Sequence, residues 1–267
     1  MKDLKIAAVC MNAYPREIDR NLDRIASFAQ EAADKGVNMI CFPELSITGY
    51  ILDSPGGIYS EAISQEIIGR VDQMARTMDL VILAGMIEKT TNEKPYISQV
   101  VAGPKGLLGI YRKTHLSPME KENYQAGHEI SVYINNLAVF GIQLCYEAHF
   151  PEISTKMALD GVEIIFIPHA SPRGTPDEKT QSWLRHLPAR AFDNSAFLVA
   201  CNQVGSHKNG LSFPGVSVVL NPIGQVMENY SGAQEKMIIA DLKKNDLEET
   251  RNHRMKHFLP HRRPELY

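Results

Sequence analysis

Three side chains of this 267-residue chain could together perform nucleophilic chemistry: the thiol of Cys145, the carboxylate of Glu44 and the ammonium of Lys113. A thiol of ordinary pKa, about 8.5, is mostly protonated at neutral pH and needs a base before it can attack. A carboxylate within hydrogen-bond reach can take that proton, provided partial burial raises its basicity. An ammonium close by favours the thiolate and can hold the oxyanion of a tetrahedral intermediate. Taken singly, each residue has a plainer reading. Cysteine is among the most buried residue types, so Cys145 alone reads as core packing. Glu44 alone reads as a carboxylate in a solvated turn, and Lys113 as a surface lysine.

What links them is position. Each follows an apolar, strand-like run: Val37 to Phe42 before Glu44, Leu107 to Tyr111 before Lys113, and Ala138 to Leu144 before Cys145. The last run delivers Cys145 to a turn, with a helix beginning just beyond. Open α/β layers place their ligand crevices at the carboxyl ends of strands. The 16 residues from Arg112 to Gly127 are polar and lack a period, and a loop of that length in a compact domain is usually functional or disordered.

The remaining elements supply a frame. Leu4 to Met11 reads as a buried strand, and Pro15 to Lys35 as a helix with Ile18, Leu22, Ile25, Phe28, Ala29 and Ala32 on one face and Gly36 at its end. With Val37 to Phe42 this makes a right-handed parallel crossover unit. Asp53 to Tyr59 reads as a loop, Glu61 to Met78 as a helix, Leu80 to Ile87 as a strand and Thr90 to Pro95 as a turn. Tyr96 to Ala102 and Leu107 to Tyr111 form an antiparallel pair across Gly103-Pro104-Lys105-Gly106, so the sheet is mixed. Beyond Cys145 a helix is expected over 150–160, a strand over 162–168, and a loop from His169 to Pro176. Asp177 to Asn194 is helical, kinked or divided at Pro188, and Ala196 to Asn202 is a strand. Short strands follow over 214–220, 225–229 and 236–240, with turns at Asn221 to Gly224 and at Ser231-Gly232, then a short helix near Leu247. The basic tail Arg251 to Tyr267 is too polar to build a core and is expected to fray or to dock on another surface. The pattern predicts α/β architecture in one domain spanning 1–267: two mixed sheets packed as a sandwich and covered by helices.

Composition narrows the function. The chain is 44% hydrophobic and 22% charged, with net charge −3, and it lacks a long basic run, which speaks against nucleic acid as a partner. No apolar run approaches the roughly 18 residues of a membrane span. The amino-terminal residues enter a strand directly, without the pattern of a secretory signal. Cys10, Cys41, Cys145 and Cys201 lack CxxC spacing, which argues against a zinc site or a disulfide framework and fits a reducing, cytoplasmic setting.

The chain resembles the nitrilase superfamily of carbon–nitrogen hydrolases. The resemblance is carried by Pro43-Glu44-Leu45 with Gly49-Tyr50, by Tyr111-Arg112-Lys113-Thr114-His115-Leu116, and by Cys145-Tyr146-Glu147 with Phe150-Pro151-Glu152. Weaker matches are Ala189-Arg190-Ala191 with Asn194, Asn202 to Gly205, Pro214 to Ser217 and Arg262 to Tyr267. The family implies an α-β-β-α sandwich that pairs with a second subunit, often through the C-terminal tail, as a homodimer or higher homo-oligomer. It implies Cys145 as nucleophile, Glu44 as general base and acid, Lys113 and the Tyr146 backbone N–H as oxyanion donors, and no metal or organic cofactor. A second glutamate of the family falls at Glu120, with Glu122 close by as the alternative. The expected reaction cleaves a non-peptide C–N bond of a small amide or ureido compound through a thioester. Some nitrile-hydrolysing relatives carry Trp after the nucleophile; Tyr146 tilts the reading toward amides without excluding a nitrile.

Substrate contacts are expected from Glu147, from His169 and from Arg173, the one cation in the loop from 169 to 176 and a candidate partner for a substrate carboxylate. Two other readings compete: a Cys–His hydrolase pairing Cys145 with His149 or His169, and a small-molecule-binding scaffold without catalysis.

Overall fold

A computed structural model describes residues 1–52, 59–91, 94–207 and 210–266. Most of the expected loop at 53–59, part of the turn at 90–95 and the terminal Tyr267 lie outside these residues. The first half contains β1 (Leu4–Cys10), α1 (Ile18–Asp34), β2 (Met39–Cys41), α2 (Glu61–Met78), β3 (Val81–Glu88), β4 (Tyr96–Gly103) and β5 (Gly106–Arg112). The second contains β6 (Val132–Ile134), β7 (Val139–Ile142), α3 (Pro151–Leu159), β8 (Ile164–His169), α4 (Pro176–Trp183), α5 (Leu187–Asn194) and β9 (Phe197–Asn202). After these come β10 (Gly205–Ser206), β11 (Ser212–Phe213), β12 (Gly215–Leu220), β13 (Val226–Gly232), β14 (Lys236–Leu242) and α6 (Lys244–Asn252).

Two six-stranded mixed sheets result, in the orders β14-β1-β2-β3-β4-β5 and β13-β12-β9-β8-β7-β6. They face one another with helices outside, an α-β-β-α sandwich. The strands read as continuous apolar runs because both faces are buried. In β1, Leu4, Ile6 and Ala8 join the core between the sheets, while Ala7 and Val9 pack under the helices with Leu22, Ile25 and Phe28 of α1. β9 repeats the division: Phe197, Val199 and Cys201 point between the sheets, Leu198 and Ala200 outward beneath Trp183, Leu187 and Ala191. The alternation is the two-residue period of a strand.

The connections bring the useful ends together. β1, β2 and β3 run parallel, as do β7, β8 and β9, and two antiparallel steps return β5 to the direction of β3. The carboxyl ends of β2 and β5 therefore share one edge of the first sheet. A parallel bridge between Met11 and Gln203, one residue past β1 and β9, joins that edge to the corresponding edge of the second sheet.

Several expectations need adjustment. Strand β6 was not anticipated; three residues, only Tyr133 of them buried, give too short a pattern to read. Ser231-Gly232 is not a turn, because Gly232 still pairs with Gly215 and the chain reverses over residues 233–235. The helical stretch 177–194 is divided, one of the two forms expected, into two helices with Pro188 in the first turn of the second. The tail lies partly on its own chain: Phe258 packs edge-on against Phe192 of α5, with ring centroids 5.3 Å apart, and Ser195 Oγ donates to the carbonyl of Lys256. Among the described residues, no helix is long and apolar enough to cross a membrane.

Candidate active site

Glu44 sits on an elbow three residues beyond β2. Leu45 holds a left-handed conformation there (φ 56°), and the elbow lies against Gly85 of β3 so closely that a Cβ on Gly85 would stand 2.2 Å from the Leu45 nitrogen. The amide of Gly85 donates to Ser46 Oγ, and Gln203 Nε2 donates to the Glu44 carbonyl. Lys113 extends β5, its N–H donating to the Ile97 carbonyl. Cys145 opens a one-turn 3-10 helix, Cys145–His149, also in a left-handed conformation (φ 47°). A non-glycine residue there is strained and persists only where the surroundings hold it.

These elements converge. Lys113 Nζ donates to Glu44 Oε1 at 2.7 Å and to Glu120 Oε1 at 2.8 Å, and all three side chains are buried. The Ala170 amide donates to Glu44 Oε2, and the Ser117 amide to Glu120 Oε2. Of the two candidates for the second glutamate, Glu120 is the one bonded to Lys113, while Glu122 is exposed.

The charges follow from burial and proximity. Burial raises the Glu44 carboxyl above its ordinary range; Lys113 opposes that and the Glu120 charge adds to it. Burial disfavours the Lys113 ammonium, but Glu44 and Glu120 outweigh it and hold its pKa well above the ordinary lysine value. Burial also raises the Cys145 thiol, as does the Glu44 charge, against the lowering pull of Lys113. Burial and the Glu44 charge thus favour the neutral thiol at Cys145, while the two glutamates favour the lysine cation. Tyr50 feels the same charges, and its phenol is held neutral by burial first and by Glu120 and Glu44 next. Tyr50 also borders a cavity of about 560 Å³ lined by Tyr14, Arg16, Arg20, Leu52 and His207.

The other predicted residues divide. Tyr146 follows the nucleophile, with its ring edge-on to His149 and Phe150. Glu147 is not a substrate contact. Its buried carboxylate accepts from the Tyr111 hydroxyl, the Thr114 amide and hydroxyl, the His115 amide and the Leu144 amide, which leaves it saturated from within. It clamps the nucleophile turn to the end of β5. His169 is buried, stacks on Trp183 at 4.2 Å and hydrogen-bonds through Nδ1 to the Ile167 carbonyl. Burial holds its pKa well below the ordinary value, so it stays neutral. His149 is exposed and stacks on His186. Among the described residues, neither histidine is hydrogen-bonded to Cys145. The Arg173 side chain is exposed, and its backbone N–H donates to the Ser212 carbonyl.

Sequence reading missed the Ala170 amide, because a backbone donor leaves no residue-type signal, and Gln203, which lies 159 residues from the carbonyl it supports. Among the described residues, no group of three or more His, Cys, Asp or Glu side chains is arranged to hold a metal ion.

A sandwich with a strained cysteine at one strand end and a Glu–Lys–Glu cluster at two others defines a class of thiol hydrolase. The chain belongs to the carbon–nitrogen hydrolase family, whose model matches residues 5–252. It is similar to a nitrilase of Pyrococcus abyssi (30% identity, 94% of this chain and 93% of the relative) and to the mouse deaminated glutathione amidase (30%, 99% and 85%). Among solved structures it resembles the amidase of Nesterenkonia sp. AN1, with a TM-score of 0.87, 26% identity and 98% coverage of both chains. A glutamate variant of that amidase carries the Michael adduct of acrylamide on its active-site cysteine. The chain is accordingly an enzyme of the carbon–nitrogen hydrolase class, with thiol-dependent amide hydrolysis as its general chemistry.

Proposed function

We propose that the whole chain acts as one hydrolase domain that cleaves the C–N bond of a small amide or ureido compound, with Cys145 as nucleophile, Glu44 as base and acid, and Lys113 as oxyanion partner. The observation that carries this reading is the buried lysine bonded to two carboxylates at 2.7 and 2.8 Å beside the thiol. A surface-type ion pair would not be buried at such desolvation cost without a task or a dense network of partners.

The reaction runs in two halves. Cys145 Sγ attacks the amide carbon as its proton passes to Glu44. The carbonyl π electrons move onto oxygen, and that oxyanion is met by Lys113 Nζ and the Tyr146 N–H. Collapse of the tetrahedral species breaks the C–N bond, and Glu44 returns its proton to the leaving nitrogen. Ammonia or an amine departs, and the acyl group stays on Cys145 as a thioester. A water then adds, giving its proton to Glu44. The C–S bond breaks, the proton goes back to sulfur, and the carboxylic acid leaves. Glu120 acts through Lys113: it shares the ammonium with Glu44 and is fixed by the Ser117 amide.

Small carboxamides fit relatives named as amidases; the nitrilase of Pyrococcus abyssi favours a nitrile as the second reading. Exposed Leu184, Phe192, Met255 and Phe258, on or beside α5 and the tail, support a homodimer or higher homo-oligomer in which the tail meets a partner subunit. A cytoplasmic setting fits the free thiols.

The test is a pair of variants assayed by ammonia release from short alkanamides. Lys113→Met should lower kcat by about 10²-fold or more, the size of a lost oxyanion contact. His149→Ala should leave kcat within a factor of about two. Substantial turnover by Lys113→Met, with loss in His149→Ala, would replace this mechanism by a Cys–His one.

A further inference from the structure

The end of the sandwich opposite the catalytic cluster holds a second cavity, of about 430 Å³. It lies where the amino-terminal ends of β2 and β3 meet the β4–β5 turn at Pro104-Lys105 and the β6–β7 turn at Asn135 to Leu137. Leu108 of β5 lines it and Lys113 extends the same strand, so roughly 16 Å of strand separate the cavity from the catalytic lysine. The walls are fixed. Asn38 is tied to β1 and β3: its amide donates to the Lys5 carbonyl, its Oδ1 accepts from the Lys5 amide, and its carbonyl accepts from the Val81 amide. Asn135 Oδ1 accepts from the Leu137 and Ala138 amides, and the Leu137 carbonyl accepts from the Lys2 amide.

What this lining leaves unbonded describes a ligand. With its Oδ1 held by two amides, Asn135 keeps an Nδ2 group that is buried and has no partner among the described residues. Buried donors are nearly always paired, so an unpaired one calls for an acceptor. Asp79 and Lys105, of opposite charge, line the same cavity, yet neither forms an ion pair with the other or with any other described residue. Asp79 caps α2 in a left-handed conformation (φ 53°), beside the last carbonyls of that helix, where a cation is favoured. Val81, Leu108 and Leu137 supply an apolar wall. One cavity thus offers an anion, a cation with an amide donor, and an apolar surface, and its two charges stand too far apart to neutralise each other.

We propose that this cavity is a second ligand site, which binds a free α-amino acid with an apolar side chain of about the size of leucine. The ligand's ammonium pairs with Asp79, its carboxylate with Lys105 and the Asn135 Nδ2 group, and its side chain lies on Val81, Leu108 and Leu137. A zwitterion bridges two charges that do not reach each other and gives the buried amide its acceptor. A carboxylate without the amine, or an amine without the carboxylate, meets only half of the lining. No residue of the catalytic cluster takes part, so the site stands independently of the amidase reading.

Calorimetric titration of the wild-type chain with L-leucine, with 4-methylpentanoate and with 3-methylbutylamine tests the assignment. L-leucine should bind saturably, one per chain, and about tenfold or more tighter than either half-ligand. Asp79→Asn keeps a residue at ease in the left-handed conformation. It and Lys105→Met should each weaken L-leucine by about tenfold or more. Both side chains are exposed and unpaired, so without ligand both variants should melt as the wild type does. Added L-leucine should raise the melting temperature of the wild type and, at the same concentration, leave both variants nearly unmoved. Cys145→Ala protein should bind L-leucine as the wild type does, and a saturating alkanamide should not displace it. Absence of saturable binding, equal binding of a half-ligand, or unchanged binding in either variant would overturn the assignment. Displacement by the alkanamide would overturn it too, because it would put the amino acid in the catalytic site.

Discussion

Gly85→Ala tests whether the rigid seating of Glu44 matters as the mechanism requires. The added Cβ would stand 2.2 Å from the Leu45 nitrogen and 2.9 Å from both the Glu44 carbonyl carbon and Gln99 Oε1. Two of these atoms are backbone, so no side-chain rotation relieves the clash. Restoring ordinary contact requires the elbow to retreat by ~1 Å from β3. Leu45 is already left-handed and the Glu44 carbonyl is held by Gln203, so the elbow has few alternatives. A displacement of that size would break the 2.7 Å contact between Glu44 and Lys113. Misplacement by about 1 Å costs on the order of 10²-fold in rate, and overpacking of this kind costs about 1–3 kcal/mol of stability. The assay is kcat for amide hydrolysis beside a urea melt. Gly69→Ala is the control: it lies in α2 with open space around its Cβ, and it should stabilise the protein by about 0.5–1 kcal/mol at unchanged kcat. A folded Gly85→Ala protein whose kcat stays within threefold of wild type would refute the argument.

Other perturbations probe the frame. Glu147→Gln puts an NH₂ group among donors from Tyr111, Thr114, His115 and Leu144; it should cost about 3 kcal/mol or more in urea unfolding, and a loss under 1 kcal/mol would contradict the clamp. Cys10 is pushed up to about 12 by burial first and by Cys201 next. Between pH 9 and pH 12 the unfolded thiol gives up its proton while the native one keeps it, so stability falls as pH rises, by up to about 1.4 kcal/mol per unit. Cys10→Ala should therefore make the fall in unfolding free energy shallower from pH 9 to 11, and parallel slopes in urea melts would count against it.

The strands were legible because both faces of β1, β3, β8 and β9 are buried, which writes them as unbroken apolar runs. Glu44, Lys113 and Cys145 were legible by a related route, as polar residues set at the ends of such runs. The choice between Glu120 and Glu122 was not, since it depends on how the polar stretch from Ser117 to Tyr124 winds back on itself, with the Glu120 amide bonded to the Ser117 carbonyl. Glu147 misled for a physical reason: a carboxylate two residues from a nucleophile reads as chemistry, yet its role is set by donors 32–36 residues away. β6 was lost to its brevity, and the Ala170 amide to its being backbone.

The central claim is that Cys145 carries the acyl group. Rapid quench of the enzyme with a slowly turned-over amide, followed by intact mass and peptide mapping, tests it directly. The account predicts an added acyl mass on the peptide bearing Cys145, lost together with turnover in Cys145→Ala. Hydrolysis by Cys145→Ala, or an acyl group mapped to another residue, would contradict it.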